Sequence, residues 1–155
     1  MKAGAVFQGK LKDSNCSFYQ DEQGGPVKVN GHIKGLPPGK HGFHIHTYGD
    51  LRATDCSKCG GHWNPKNRQH GGLRDIESHA GDLGNITAND EGESNFHIRT
   101  TKFTLLGSNS VIGRSIVIHV DEDDLGKGGH SDSLTTGHAG ARFDCAVIGI
   151  AKLTQ

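Results

Sequence analysis

A two-residue alternation of apolar and polar side chains recurs along nearly the whole chain and constrains its fold more than any other feature. The runs "AVFQGKL" (5–11), "VKVNGHIKGL" (27–36), "HGFHIHTY" (41–48), "ESNFHIRTTKFTLL" (93–106) and "SIVIHV" (115–120) all alternate. "CAVIGIAKL" (145–153) closes the chain as a more continuously apolar strand. A period of two puts successive side chains on opposite faces of a strand. Turn chemistry punctuates the runs at "EQGG", "GLPPGK", "NDEGE" and "LLGSN". Helical spacing is weak throughout, apart from one turn near 131–136. The 24 glycines are roughly twice average usage and suit short strands joined by turns. Two segments, about 47–82 and 121–143, do not alternate, and loops of that length in a compact domain are usually functional. These signals predict an all-β chain: an eight-stranded antiparallel Greek-key β-barrel or sandwich with two long functional loops, as a single domain over residues 1–155.

Charge and hydropathy exclude several classes. Lysine plus arginine (17) equals aspartate plus glutamate (17), so no global field favours nucleic acid or an anionic membrane. No run approaches the ~20 apolar residues of a membrane span. After Lys2 the apolar stretch "AGAVF" is too short for a secretory h-region, so the expected location is cytoplasmic, with a host-cell or virion location left open. Four cysteines are too few for a small disulfide scaffold, and free thiols in a reducing compartment are the simplest reading. "CSKC" (56–59) has no second C-x-x-C and no βαβ context, which argues against a zinc knuckle or a thioredoxin-like motif.

Eleven histidines carry the functional signal. In "HGFHIHTYGD", His44 and His46 share one strand face while Phe43 and Ile45 point into the core. In "SIVIHV", His119 faces away from Ile116, Ile118 and Val120. Two neighbouring strands can therefore present imidazoles to one point outside the core, on the exposed outer face of the barrel. The first long loop adds His62, His70, His79 and Asp82, spaced by eight, nine and three residues, a pattern for delivery by a loop rather than by a helix. Three imidazoles and a carboxylate form a closed tetrahedral set that suits structural zinc. His44, His46 and His119 with one shared imidazole suit copper and leave a side open to substrate.

The segments "GHIKGLPPGKHGFHIHTYGD", "GGHWNPKNRQHGG", "HAGDLGN", "IGRSIVIHVDEDDLGKGG", "TTGHAGAR" and "CAVIGIA" appear in the order found in Cu/Zn superoxide dismutases, which the chain resembles over essentially its whole length. The resemblance implies copper on His44, His46, His62 and His119, and zinc on His62, His70, His79 and Asp82, with His62 bridging the two ions. It implies that Asp123 links a copper histidine to a zinc histidine and fixes their tautomers. Arg142 is expected to dock the superoxide anion, Thr136 to form the opposite wall, and Cys56–Cys145 to be an intrasubunit disulfide. The implied reaction turns superoxide into dioxygen and hydrogen peroxide as copper cycles between Cu(II) and Cu(I). In that reaction the His62 bridge would carry a proton, a role that suits an imidazole better than a carboxylate. "IGR", "VIGIA", Tyr48 and Gly49 resemble the family's dimer contact, so a symmetric homodimer is expected, and a copper chaperone is an expected partner.

The chain departs from the family in several places. Asp121 and Thr135 stand where lysines are common, leaving Lys127 and Arg142, which predicts slower encounter and weaker salt dependence than in strongly steered relatives. His138 replaces a common asparagine near Arg142 and reads as loop surface. His41 reads as a structural histidine bonding loop backbone, and His32, His97 and His130 as solvent-facing. Trp63 is expected to pack under the metal loop. Cys16 and Cys59 have no assigned role, although Cys59 neighbours the expected bridge. Two competing readings are a metal-buffering or chaperone-docking domain and an inactive structural β-domain. The complete ligand set with Arg142 disfavours both.

Overall fold

A computed structural model describes residues 1–153 of the chain; residues 154–155, the end of the expected domain, lie outside the described residues. Among the described residues, nine strands form two antiparallel sheets: β1 (Lys2–Val6), β2 (Asn15–Gln20), β3 (Val27–Lys34), β4 (Gly39–His46), β5 (Asp82–Ala88), β6 (Glu93–Thr100), β7 (Ser115–His119), β8 (Arg142–Val147) and β9 (Gly149–Ala151). One sheet runs β6-β3-β2-β1-β9 and the other β5-β4-β7-β8. Strands β3 to β6 make a Greek key: β4 and β5 pair in the second sheet, and β6 returns to pair with β3.

The expected all-β sandwich is the observed architecture, with one strand more than the eight expected. The apolar run at 145–153 is split at Ile148, so that β8 closes one sheet and β9 joins the other. Two strands fall outside the alternating runs noted above, β2 ("NCSFYQ") and β5 ("DLGNITA"). Their inward residues include Cys16, Phe18, Leu83 and Ile86, all buried. The first run, 5–11, is mostly turn, since β1 ends at Val6 and Phe7 bonds back to Ser14.

The sheets close on one cluster that includes Phe7, Phe18, Val29, Ile33, Phe43, Ile45, Ile116, Ile118 and Ile148. Each such side chain contributes roughly 1.5–3 kcal/mol on burial. Phe43 meets Phe96 edge-on at 5.2 Å. Gly31, directly across from Phe96, is needed there because a Cβ would sit 2.1 Å from the Phe96 ring. Val120, expected inside with Ile116 and Ile118, is 40% exposed. The β7–β8 register shifts between Ile118 and His119, so the alternation ends one residue before Val120.

A second shift, between Gly42 and His44, sets His44 opposite Asp82 across β4 and β5. Such irregularities re-aim side chains locally. Both lie at histidines of the expected metal centre. The two long loops, 47–81 and 120–141, fold over that face of the second sheet.

Candidate metal centre

β4 carries His44 and His46 on one face, and β7, paired with it, carries His119. The sequence places this face outside the barrel and exposed, but the loops bury it. His44, His46 and His119 are 0%, 1% and 3% exposed, and His62 from the first loop is 9% exposed. An isolated bridge between His46 and His62 draws the loop onto the strand. One ligand atom from each of these four histidines lies within 4.8 Å of the others.

The hydrogen bonds decide which ring nitrogen is free. His46 Nδ1 meets Gly60 O at 2.8 Å, and His119 Nδ1 meets Gly140 O at 3.1 Å, leaving their Nε2 atoms 3.4 Å apart. His44 Nε2 is bound to Asp123 Oδ2 at 2.6 Å, leaving Nδ1 free. His44 Nδ1 and His62 Nε2 are buried without any hydrogen-bond partner. Buried polar atoms are rarely left so, and these converge on one point. Four imidazole nitrogens suit copper.

The second set lies behind His62. Asp82 Oδ1 is 3.0 Å from His62 Nδ1, 2.9 Å from His70 Nδ1 and 3.4 Å from His79 Nδ1, and His62 Nδ1 is 3.1 Å from His79 Nδ1. A tetrahedron of ligands ~2.0 Å from zinc has edges of about 3.3 Å, so these spacings fit that ion. His44 also falls within 4.8 Å of His62, His70 and Asp82, because its ring stacks on His62 at 4.0 Å. Its Nε2 is bound to Asp123, while His79 Nδ1 lies 3.1 Å from His62 Nδ1 and 3.4 Å from Asp82 Oδ1. Asp82 Oδ2 accepts from the Gly71 and His79 amides at 3.0 and 2.8 Å, so the loop is tied to its own carboxylate.

Asp123 joins the two sets, with Oδ2 on His44 Nε2 and Oδ1 on His70 Nε2 at 2.8 Å. Asn85 holds Asp123 in place: the Asp123 amide donates to its Oδ1 at 2.7 Å, and its Nδ2 donates to the Asp123 carbonyl at 2.9 Å. Lys102 reaches in from beyond β6 to donate to the carbonyls of Asp82 and Gly72 at 2.8 and 3.4 Å. Neither Asn85 nor Lys102 was singled out in the sequence. Asn85 ends the motif "HAGDLGN", whereas "RTTKF" carries no signal.

Burial, reinforced by the neighbouring His62 ring, holds His44 and His46 well below the ordinary histidine value, and burial brings His119 to about 4. Burial also lowers His62 against the pull of Asp82. Neutral rings with free lone pairs are what a metal needs. At His70 burial is outweighed by hydrogen bonds to Asp123 and Asp82, which raise it to about 9. Burial opposes ionisation of Asp82, but bonds from His62, His70 and His79 hold it far below the carboxylate range.

A cleft of ≈ 380 Å³ opens over His46, His62 and His119, walled by Thr135, Thr136, Arg142 and Asp132. Arg142 donates from Nη1 to Cys56 O at 2.7 Å. Cys56 and Cys145 form a disulfide with Cα atoms 6.1 Å apart, so the first loop, the last long strand and Arg142 are tied together. Closing a loop of this length stabilises by ~4–5 kcal/mol on the disputed chain-entropy account. Cys59 is buried in the same small cluster, and Cys16 lies in the main core. Lys127, counted above among the remaining cations, does not line the cleft, whereas Asp132, which the sequence reading passed over, does. His41 is buried, with Nδ1 on His119 O at 2.9 Å and Nε2 on Pro37 O at 2.7 Å. Trp63 packs against the core, with the Arg114 guanidinium 3.3 Å above its ring. His32, His97 and His130 are exposed.

The family model described as copper/zinc superoxide dismutase (SODC) matches residues 13–148. The chain therefore belongs to the copper/zinc superoxide dismutase family, and is an oxidoreductase that uses copper and zinc to convert superoxide into dioxygen and hydrogen peroxide.

Proposed function

We propose that His44 Nδ1, His46 Nε2, His62 Nε2 and His119 Nε2 hold copper, while His62 Nδ1, His70 Nδ1, His79 Nδ1 and Asp82 Oδ1 hold zinc. The observation that carries this assignment is the pairing pattern. At His44, His46, His70 and His119 one ring nitrogen is bound to a protein oxygen and the other faces the set, while both nitrogens of His62 face a set. Bound copper supplies one-electron chemistry, cycling between Cu(II) and Cu(I), and zinc is structural.

The chain's own residues do the rest. His62 has one nitrogen on each side, so Nε2 is the atom at which a proton is held and passed toward the cleft. Asp123 fixes the tautomers of His44 and His70 at once. Arg142, permanently charged and aimed by the Cys56 carbonyl, docks the anion, and Thr136 narrows the opposite wall. With one cation in the cleft and neither Asp121 nor Thr135 a lysine, encounter is slower and less salt-dependent than in strongly steered relatives. Near diffusion-limited catalysis that collapses with salt would contradict this.

The assay is superoxide consumption by the copper- and zinc-loaded wild type, Arg142→Ala and His119→Ala. Arg142→Ala is expected to lower kcat/KM by about tenfold or more, and His119→Ala to abolish turnover. A loaded wild type that consumes no superoxide would sink the reading and favour metal storage.

The chain acts as one domain in the cytoplasm, as a symmetric homodimer loaded by a copper chaperone. Supporting the dimer, Gly49 abuts the Gly113 carbonyl, the Gly113 amide donates to Ile148 O at 2.7 Å, and Tyr48 and Ile150 beside them are 61% and 73% exposed. No helix among the described residues is long and apolar enough to cross a membrane.

A further inference from the structure

The cleft that admits the anion is lined by one cation, Arg142, and one carboxylate, Asp132. A carboxylate on this wall opposes a negatively charged substrate. Yet Asp132 is not left to project into the cleft. Its Oδ1 accepts from His138 Nδ1 at 2.7 Å, its Oδ2 lies 3.4 Å from Thr136 Oγ1, and its carbonyl accepts from the Thr136 amide at 2.8 Å. The bond from His138 is also the main reason Asp132 lies below the ordinary carboxylate value.

His138 is itself held from several directions. Its φ of 52° lies in the left-handed region that few side-chain-bearing residues adopt. The preceding Gly137 packs against the Asp123–His70 link, where a Cβ would come within 2.1 Å of Asp123 Oδ1, so the backbone cannot relax away. The imidazole lies flat on His130, with ring centroids 3.6 Å apart and an interplanar angle of 11°. The His130 amide in turn donates to Ser133 Oγ at 2.9 Å, and Ser133 donates to Asp124. A half-exposed histidine is thus kept in a costly backbone conformation with its donor aimed at the one carboxylate of an anion cleft.

We propose that His138 is a positioning residue for the substrate, holding the Asp132 carboxylate against the wall and shielding it so that Arg142 sets the potential of the cleft. His130 fixes the plane of the imidazole. The inference rests on the superoxide dismutase reading of the cleft and adds to it a residue that touches neither metal set. A single charge in a cleft accounts for a few-fold part of the 10–10³ that a whole field contributes to anion capture.

The test compares wild type, His138→Gly, Asp132→Asn and the double variant, all loaded with copper and zinc; glycine removes the imidazole where φ is positive without adding strain. Two quantities are read at low and high ionic strength: kcat/KM for superoxide, and affinity for azide, a small anion, from the copper absorption spectrum. His138→Gly is expected to lower both about threefold at low salt, with the difference closing as salt screens the cleft. Asp132→Asn is expected to raise both, and His138→Gly to change neither in the Asp132→Asn background. An unchanged His138→Gly at low salt, or an equal loss with Asp132 removed, overturns the proposal. If His138→Gly fails to retain metal, His130→Ala removes only the stack and is expected to shift azide affinity in the same direction by about twofold; no shift overturns the proposal. A loaded wild type without turnover but with the expected azide pattern would overturn the dismutase reading alone.

Discussion

The sets proposed for copper and for zinc share His62, yet they are built from different material. Three of the four copper-side histidines project from paired strands, His44 and His46 on β4 and His119 on β7, and their spacing is fixed by the ladder between those strands. The zinc-side set is drawn from residues 62–82 of one chain segment, and only Asp82 lies in a strand. Side chains on sheets hold a geometry more closely than side chains on loops. On the proposed assignment the copper side is preset by the fold, whereas the zinc side depends on Asp82, its two amide bonds and the ion.

Replacing the shared residue should have the largest effect, because it breaks both halves together. His62→Ala is expected to lower superoxide turnover and zinc affinity each by at least about 10²-fold, since loss of an outer-sphere partner alone costs 10–100-fold. Competition with a chelator and a turnover assay check this. Loss on one side only would mean that His62 is not shared.

Zinc removal sharpens the contrast. An ion at 1,000 times its Kd contributes about 4 kcal/mol to the state that binds it. Chelating zinc should therefore speed hydrogen exchange at the Gly71 and His79 amides by about 10³-fold. The β4–β7 ladder amides of Phe43 and Ile45 should change far less. Equal loss in both places would erase the distinction between a preset and an ion-dependent half.

Gly137→Ala tests how tightly the second loop is pressed onto the link between the halves. Its φ is +77°, and a Cβ would lie 2.1 Å from Asp123 Oδ1 and 2.5 Å from His70 Nε2. Destabilisation of about 2 kcal/mol, a drop of roughly 4–8 °C in Tm, should accompany weaker binding of both metals.

The effect furthest from both sets lies in the core. Burial pushes the Cys16 thiol from an ordinary 9.0 up to about 12. The unfolded chain thus releases this proton first as pH rises. The contribution of the buried thiol is intact below pH 9 and is lost as pH climbs toward about 12. Cys16→Ala should flatten the alkaline limb of the stability curve, read by denaturant titration across that range, and leave metal content unchanged.

The same division governs what was legible in the sequence. His44, His46 and His119 stand out because strand periodicity sets them opposite Phe43, Ile45, Ile116 and Ile118. The zinc-side residues obey no period; their common loop and the chemistry of three imidazoles and a carboxylate grouped them, and the motif-level resemblance to a family added the bridge at His62. Strand β5 escaped notice because it opens on a charged residue and carries Gly84 at φ +76°. Strand β2 escaped because its apolar face includes a cysteine and a glutamine. Val120 was misplaced because the β7–β8 register shift has no sequence signal. Asp132, Lys102 and Asn85 gain their roles only when the loops close, and closure is a long-range event that spacing does not encode.

The central claim is that His62 stands between two ions held by different kinds of structure. Anomalous diffraction at the copper and zinc edges, from crystals of the loaded protein, tests it most directly. The account predicts one copper peak among His44, His46, His62 and His119, and one zinc peak among His62, His70, His79 and Asp82. A single metal peak, or peaks that do not flank the His62 ring, would contradict it.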